Sequence, residues 1–171
     1  KYRVESCENY NANILFTDAE NAFDEVKEAE NNGYKFVHPF DGPYTLQGSA
    51  TLGLEIVNQI NDMDTKIDNI LISVGGGGLI SGVAAAVKLI NPDCKVFGVE
   101  PIGADTMYKS FKKGKTIQNV KINSIVDSLS PPMTLPFSFA VCKNLLMKSL
   151  QLVMMKFVLP WSSFKKKQNL Q

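Results

Sequence analysis

Helical and extended hydrophobic patterns alternate along the chain. Apolar or small residues recur at helical spacing in four segments, residues 22–29, 51–60, 79–90 and 104–112. Apolar runs typical of strands occur in four others, residues 14–16, 34–38, 67–74 and 95–99, of which the third is long enough for a strand buried on both faces. Strands that alternate with helices predict an α/β fold with a parallel sheet.

Boundary residues refine these elements near the start of the chain. Residues 3–10 can form a short helix, and Asn11 stands where a left-handed residue would end it. Asp18 can cap the next helix through its side chain, and Gly33 can end that helix. We therefore expect the order helix, strand, helix, strand before the turn at Asp41-Gly42-Pro43.

Composition indicates a globular chain. Its 171 residues are 44% hydrophobic and 20% charged, with a formal net charge of +1, and they contain no internal repeat. Cys7, Cys94 and Cys142 are odd in number and far apart, which argues against a disulfide framework and a zinc site and favours a reducing cytoplasm. The lysines between positions 109 and 115 are interpreted as a solvated face, so we expect no nucleic-acid partner.

The densest chemical signal is a run of four glycines, Gly75, Gly76, Gly77 and Gly78, between a buried strand and a helix. This arrangement points backbone N–H groups and a helix N-terminus toward an anion. Glycine allows a phosphate to approach closely and permits positive φ. The run therefore predicts a phosphate site, with a tight turn that binds nothing as the alternative.

Two other classes of phosphate ligand fit less well. A P-loop needs Gly-Lys-Ser/Thr at the start of the helix, whereas Leu79 and Ile80 stand here. A dinucleotide site would find an acid at Glu100, which ends the next strand. However, the last glycine of its fingerprint would fall at Ile80 or Ser81, so that fingerprint is not met.

Five segments form a pattern when they are taken in order. They cover residues 37–43, 48–55, 73–82, 97–101 and 125–129, with the sequences VHPFDGP, GSATLGLE, SVGGGGLISG, FGVEP and IVDSL. Together they resemble the fold-type II pyridoxal-phosphate enzymes of the serine/threonine dehydratase and serine racemase family. The resemblance extends over about residues 1–144. It implies a tryptophan synthase beta-like fold, which is a three-layer, open, mostly parallel sheet with helices on both faces, here incomplete.

The same resemblance implies a domain organisation and an activity. Residues 1–44 would end a smaller domain and residues 45–144 would form part of the large cofactor-binding domain. The family converts a hydroxy amino acid into a 2-oxo acid and ammonia, using pyridoxal 5'-phosphate held by a lysine as a Schiff base. Serine racemase activity is the nearest alternative, and a non-catalytic binding remnant is another. Family members commonly form homodimers, and their partners are small amino-acid substrates.

The resemblance implies that the catalytic lysine of the family lies upstream, in a Ser-x-Lys-type motif that comes before the segments matched here, so we expect no catalytic residue in this chain. Lys1 does not replace it, because its neighbours match a later helix. The chain starts without methionine or a signal segment, and we expect it to be a piece of a longer protein. The resemblance assigns Gly75 to Gly78 and Leu79 to the phosphate, and Ser128 to the ring side.

Two further positions follow from the family pattern. Some relatives bind a divalent cation through the acid of the Glu-Pro turn and a carbonyl four residues on, which correspond to Glu100 and Ala104. The third ligand position is Thr106, which departs from the acidic residue of that pattern, so Mg²⁺ or Ca²⁺ is a weaker prediction. His38 is the only histidine, but its segment is mainly structural in the family.

Residues 145–171 differ from the rest of the chain. They contain no acidic residue, although the chain has 17, and they carry three of the six methionines and the only tryptophan. A basic apolar helix at a membrane surface is one interpretation, and the segment is too interrupted to span a bilayer, so we expect no membrane partner. In a shifted reading frame, the codons of Met147-Lys148 and Met155-Lys156 each give Glu and those of Met154-Met155 give Asp. The surrounding codons permit acidic segments like those that the family shows at this place.

We therefore predict that residues from about 145 onward are an out-of-frame translation. Resequencing the coding DNA tests this prediction. An unbroken frame that encodes Met154-Met155-Lys156 as written, with a stop codon after Gln171, would contradict it.

Overall fold

A computed structural model of the chain describes residues 2–18, 21–146 and 151–155. The chain forms two compact units, residues 1–36 and 37–171. The elements are helices α1 (Tyr2–Asn9), α2 (Ala22–Asn31), α3 (Pro43–Asn61), α4 (Gly78–Ile90), α5 (Thr106–Lys113) and α6 (Pro136–Leu146), the 3₁₀ helix Asp127–Leu129, and strands β1 (Asn69–Ser73), β2 (Lys95–Pro101) and β3 (Gln151–Met155). The domain boundary at residue 44 stays a prediction.

The first unit contains α1 and α2. Asn11 has the predicted left-handed backbone, with φ of 58°, just after α1. The predicted cap at Asp18 is wrong, since α2 begins four residues later, at Ala22, and Asp18 contributes only its backbone carbonyl to the preceding turn. Helix α2 ends as predicted, before Gly33 at φ of 89°.

The strands predicted at residues 14–16 and 34–38 are absent from the described chain. Leu15 and Phe16 are 69% and 73% exposed, and neither segment pairs with another strand there. An apolar run becomes a strand only when a neighbour takes up its backbone hydrogen bonds. Both strand predictions are therefore wrong for this structure.

The second unit is built on a parallel sheet in the order β1-β2-β3. Asn69 pairs with Lys95 and Ser73 with Val99, so the carboxyl ends of β1 and β2 lie at the same edge. Beyond β2, Phe97 pairs with Gln151 at the start of β3. The prediction of a parallel α/β sheet is confirmed. The supposed out-of-frame segment contributes strand β3, and its residues 147–150 and 156–171 lie outside the described part.

The core lies between the sheet and α4, which was predicted to within one residue. Val74, Val83, Ala84 and Val87 are fully or almost fully buried, as is Val96 on β2. Helix α5 begins two residues later than predicted and ends one residue later. None of the described helices is long and apolar enough to cross a bilayer.

Helix α3 is longer than the pattern predicted, because it begins at Pro43 instead of Thr51. Proline suits the first turn of a helix, where its missing N–H is not needed. The added turns contain few apolar residues, and α4 stabilises them through close contact. A Cβ added at Gly82 of α4 would lie 2.4 Å from the carbonyl oxygen of Leu46, and one at Gly53 of α3 would lie 2.8 Å from that of Val83.

Candidate cofactor site

The glycine loop follows β1 at the carboxyl edge of the sheet. The N–H of Val74 still donates to the carbonyl of Val99, at 2.9 Å, and thereby continues the pairing of β1 with β2. The chain then turns through Gly75, Gly76 and Gly77 into α4, and Gly77 has φ of 100°. Only glycine adopts this backbone conformation without strain, so the turn requires a glycine at position 77.

The loop presents a row of free N–H donors. Ser81 is the first residue after Val74 whose N–H has a backbone acceptor, the carbonyl of Gly77 at 3.0 Å. For the N–H groups of residues 75–80, no acceptor is found within the described part of the chain. Free N–H groups at a helix N-terminus carry partial positive charge and bind anions. This geometry suits a phosphate group.

The neighbouring glycines are required by close packing on two sides. A Cβ at Gly76 would lie 2.0 Å from the Phe40 ring, and one at Gly78 would lie 2.8 Å from the Phe40 Cα. On the other side, a Cβ at Gly75 would lie 3.3 Å from the Cα of Leu129. Protein atoms therefore exclude a side chain at Gly76 and Gly78 and leave little room for one at Gly75. The sequence had predicted these glycines only from the close approach of a phosphate.

A cavity of about 400 Å³ opens beside this loop. Its lining residues are Pro39, Phe40, Ser73, Gly75, Gly76, Gly77, Gly78, Leu79, Asp127, Ser128, Leu129, Ser130 and Pro131. The structure thus brings all the residues predicted for the cofactor, from Gly75 to Leu79 and Ser128, to one cavity. Their role as cofactor ligands stays a prediction.

Sequence reasoning missed several of these lining residues. Ser73 could have been found, because ligands of parallel sheets bind beyond the carboxyl ends of the strands. Phe40 lies in a segment that resembles the family, but nothing in the sequence indicates that it packs against Gly76. Among the described residues of the lining, Asp127 alone has a charged side chain, so positive potential at the loop comes from backbone dipoles.

Ser128 lies on the opposite wall, in the 3₁₀ helix, and its side chain is exposed. This wall is attached to α5 by buried hydroxyl groups. Thr106 Oγ1 donates to the carbonyl of Pro131 at 2.9 Å, and Ser110 Oγ lies 2.8 Å from Thr134 Oγ1. The wall therefore has fixed support even though its tip is in contact with solvent.

Glu100 does not serve as a free metal ligand. Its side chain is fully buried, and its two oxygens accept hydrogen bonds from the N–H groups of Met107 and Tyr108, at 2.8 and 2.7 Å. These are the free donors of the first turn of α5, so Glu100 caps that helix. Burial raises the pKa of Glu100 to about 7, against the opposing effect of the two N–H groups.

The predicted Mg²⁺ or Ca²⁺ site at Glu100 and Ala104 is consequently not supported. Ala104 is buried, and the third position, Thr106, donates its hydroxyl hydrogen to Pro131. Across the described residues, no group of three or more His, Cys, Asp or Glu side chains could hold a metal ion. Both oxygens of Glu100 already accept hydrogen bonds and are shielded from solvent, so a cation would have to enter the core in order to reach them.

His38 supports the segment that precedes α3. Its Nδ1 accepts a hydrogen bond from the N–H of Phe40 at 3.2 Å, and its carbonyl accepts one from Thr45 Oγ1. Burial lowers the pKa of His38, and the nearby carboxylate of Asp41 opposes this shift. These contacts agree with a mainly structural role for this residue.

Comparisons with known proteins agree with this geometry. Phenylserine dehydratase of Ralstonia pickettii is 42% identical over 144 residues, which are 83% of this chain and 43% of that protein. The biosynthetic L-threonine dehydratase of Bacillus subtilis is 43% identical over 112 residues, 66% of this chain and 25% of that protein. The chain thus spans less than half the length of these relatives.

Solved structures give the same result. A threonine deaminase from T.th. superposes with a TM-score of 0.79 at 30% identity, over 90% of this chain and 51% of that one. Maize serine racemase superposes with a TM-score of 0.77 at 32% identity, over 90% of this chain and 46% of that one. The family model described as "Pyridoxal-phosphate dependent enzyme" matches residues 1–152. The chain therefore belongs to the pyridoxal-phosphate-dependent enzyme family.

Proposed function

We propose that the whole protein is a dehydratase that converts a hydroxy amino acid of the serine or threonine type into a 2-oxo acid and ammonia. In this proposal, the present chain supplies the phosphate-binding loop and one wall of the pyridoxal site. The observation that carries the proposal is the row of N–H groups at residues 75–80, which have no acceptor in the described chain and stand beside the cavity. The similarity to phenylserine and threonine dehydratases supports this choice of reaction.

The residues present fit pyridoxal phosphate in shape and charge. The loop N–H groups would hold the phosphate, and the partial positive charge of α4 would favour its negative charge. Phe40 and Leu129 would keep the loop in place from opposite sides, since both lie against its glycines. Ser128 would lie on the wall that faces the ring. When bound, the cofactor withdraws electrons from the amino-acid α-carbon after its proton is lost.

Gly77 offers the sharpest test of the phosphate assignment. Alanine at this position is strained at φ of 100°, so we expect Gly77→Ala to weaken binding of pyridoxine 5'-phosphate by about 5- to 150-fold, for a strain of about 1–3 kcal/mol. This probe keeps the ring and the phosphate but has no aldehyde to react with surface lysines. Binding is measured by equilibrium dialysis.

Gly33→Ala is the matched control. Gly33 has a similar φ of 89° but lies in the first compact unit, outside the residues that line the cavity. We expect this variant to bind the probe as the unmodified chain does. Equal affinities for Gly77→Ala and the unmodified chain would contradict the assignment, as would equal affinities for the probe and for pyridoxine without phosphate.

We expect the 171-residue chain alone to produce no 2-oxo acid from L-threonine or L-serine, because the resemblance assigns none of its lysines to the Schiff base with the cofactor. The whole protein, in contrast, should produce 2-oxo acid and ammonia in equal amounts. Serine racemase is the second candidate, supported by the 32% identity to the maize enzyme over 90% of this chain. Assaying D-serine and pyruvate in one reaction with L-serine separates the two, and dominant D-serine would favour the racemase.

Several further properties belong to the same proposal. The protein would work in the cytoplasm, and it would form a homodimer, as members of the family commonly do. Residues 145–171 would be replaced, in the correct reading frame, by the acidic segments of the family.

A further inference from the structure

Phe40 lies directly against the glycine loop. A Cβ added at Gly76 would clash with the Phe40 ring at 2.0 Å, and one added at Gly78 would clash with the Phe40 Cα at 2.8 Å. A shift of Phe40 would therefore leave a gap beneath two of the glycines whose N–H groups are free. The position of the loop therefore depends on the contacts that keep Phe40 in place.

Ser138, at the start of α6, holds the Phe40 segment by two hydrogen bonds. Its N–H donates to Asp41 Oδ1 at 2.6 Å, and its hydroxyl donates to the carbonyl of Phe40 at 2.7 Å. Ser138 is 1% exposed, so both donors are shielded from water, although their acceptors on Phe40 and Asp41 are only partly buried. The carboxylate of Asp41 also meets the positive end of the α6 dipole, which strengthens the contact.

Ser138 contacts the loop from its other side as well. A Cβ at Gly77 would lie 3.3 Å from the Cβ of Ser138, which places these two residues side by side. A single buried residue therefore lies beside Gly77 and, through Phe40, supports Gly76 and Gly78. The proposed reaction does not itself require a serine at position 138 or an aspartate at position 41.

We infer that Asp41 and Ser138 form a clamp that positions the glycine loop by holding Phe40 against it. They are positioning residues, because they act through Phe40 and do not line the cavity themselves. The importance of the clamp for binding rests on the proposed function, in which the loop holds the cofactor phosphate. Its effect on the loop itself does not depend on that function.

Three variants of the 171-residue chain separate the contributions. Asp41→Ala removes the acceptor, and Ser138→Ala removes the hydroxyl donor. Asp41→Asn keeps an oxygen at Oδ1 for the Ser138 N–H, and it should rescue much of the effect. Asp24→Ala is the control, because Asp24 is an exposed carboxylate in the first compact unit, paired with Lys27.

The first measurement is amide hydrogen exchange of the unliganded chain at the two ends of α4. The Ser81 N–H binds the carbonyl of Gly77 next to the clamp, and the Asn91 N–H binds that of Val87 at the far end. We expect Asp41→Ala and Ser138→Ala to speed exchange at Ser81 about tenfold, which corresponds to about 1.4 kcal/mol, and to leave Asn91 unchanged. Asp41→Asn and Asp24→Ala should change neither amide by more than about twofold.

The second measurement is the affinity for pyridoxine 5'-phosphate, which should fall about tenfold in the two alanine variants and much less in Asp41→Asn. Equal acceleration at Ser81 and Asn91 would overturn the clamp, because it would indicate general loss of stability. Unchanged exchange at Ser81 would overturn it too. If the unmodified chain fails to bind the probe, the proposed function fails, whereas the exchange data still decide for or against the clamp.

Discussion

Gly82→Ala is expected to lower the free energy of unfolding by about 3 kcal/mol, at the upper end of the usual cost of overpacking a core. The added methyl group would lie 2.1 Å from Ser49 Oγ, 2.4 Å from the Leu46 carbonyl oxygen and 2.7 Å from the Ala50 nitrogen. Two of these three atoms belong to the backbone of α3, and backbone atoms cannot avoid the methyl group by a change of rotamer. The two helices would have to separate, and the glycine loop would move with the start of α4.

Gly48→Ala is the matched control for this substitution. Gly48 also lies within α3, but no atom of the described chain, its own helix aside, comes within 4 Å of its added Cβ. Alanine there should raise the free energy of unfolding by about 0.5–1 kcal/mol, because alanine is the better helix former. Urea denaturation of both variants measures the effects. Similar values for the two variants would contradict the close contact between α3 and α4.

Because of Glu100, we expect the free energy of unfolding to decrease as the pH rises from about 4.5 to about 7. In the folded chain burial raises its pKa from 4.5 to about 7, whereas the unfolded chain keeps the ordinary value. Between these two pH values the unfolded state has lost the proton that the folded state retains, so each step up in pH favours unfolding. The whole shift corresponds to about 3 kcal/mol, lost across this window and constant above it.

Glu100→Gln isolates this contribution, because glutamine does not titrate and resembles the protonated acid in shape. The free energy of unfolding, measured with urea at several pH values, is compared between the unmodified chain and this variant. Other groups, including His38 with its lowered pKa, affect both proteins and cancel in the difference. We expect the difference to change by about 3 kcal/mol between pH 4.5 and 7. A constant difference over this range would show that Glu100 does not titrate there.

The sequence predicted the elements whose signals are local. The apolar run before Val74 was correctly assigned to a strand, although that strand is not buried on both faces as predicted, since Ile72 is 6% exposed and Leu71 68%. The small residues after Gly78 correctly predicted a closely packed helix. Both were therefore placed to within a few residues. The glycine run predicted free N–H groups for the same reason, because strand, turn and helix start are consecutive in the chain.

Contacts between distant segments could not be predicted in this way. Ser138 and Asp41 are 97 residues apart, and a serine next to Pro136 and Phe137 gives no sign of the carboxylate that it binds. Glu100 was interpreted as a metal ligand because its position in the motif does not reveal the N–H groups that reach it from α5. Residues 14–16 were predicted as a strand because an apolar run indicates a local preference for extended backbone. It does not show whether a second strand is available for pairing.

The most direct test of the glycine loop as the cofactor phosphate site is amide-resolved NMR of the 171-residue chain during titration with pyridoxine 5'-phosphate. If the free N–H groups hold the phosphate, the largest shifts on binding will be those of residues 75–80, and inorganic phosphate will shift the same amides. Pyridoxine without phosphate should leave the chemical shifts of these amides unchanged. Shifts that centre elsewhere, or no shift at these amides when the probe is saturating, would contradict the assignment of the glycine loop as the cofactor phosphate site.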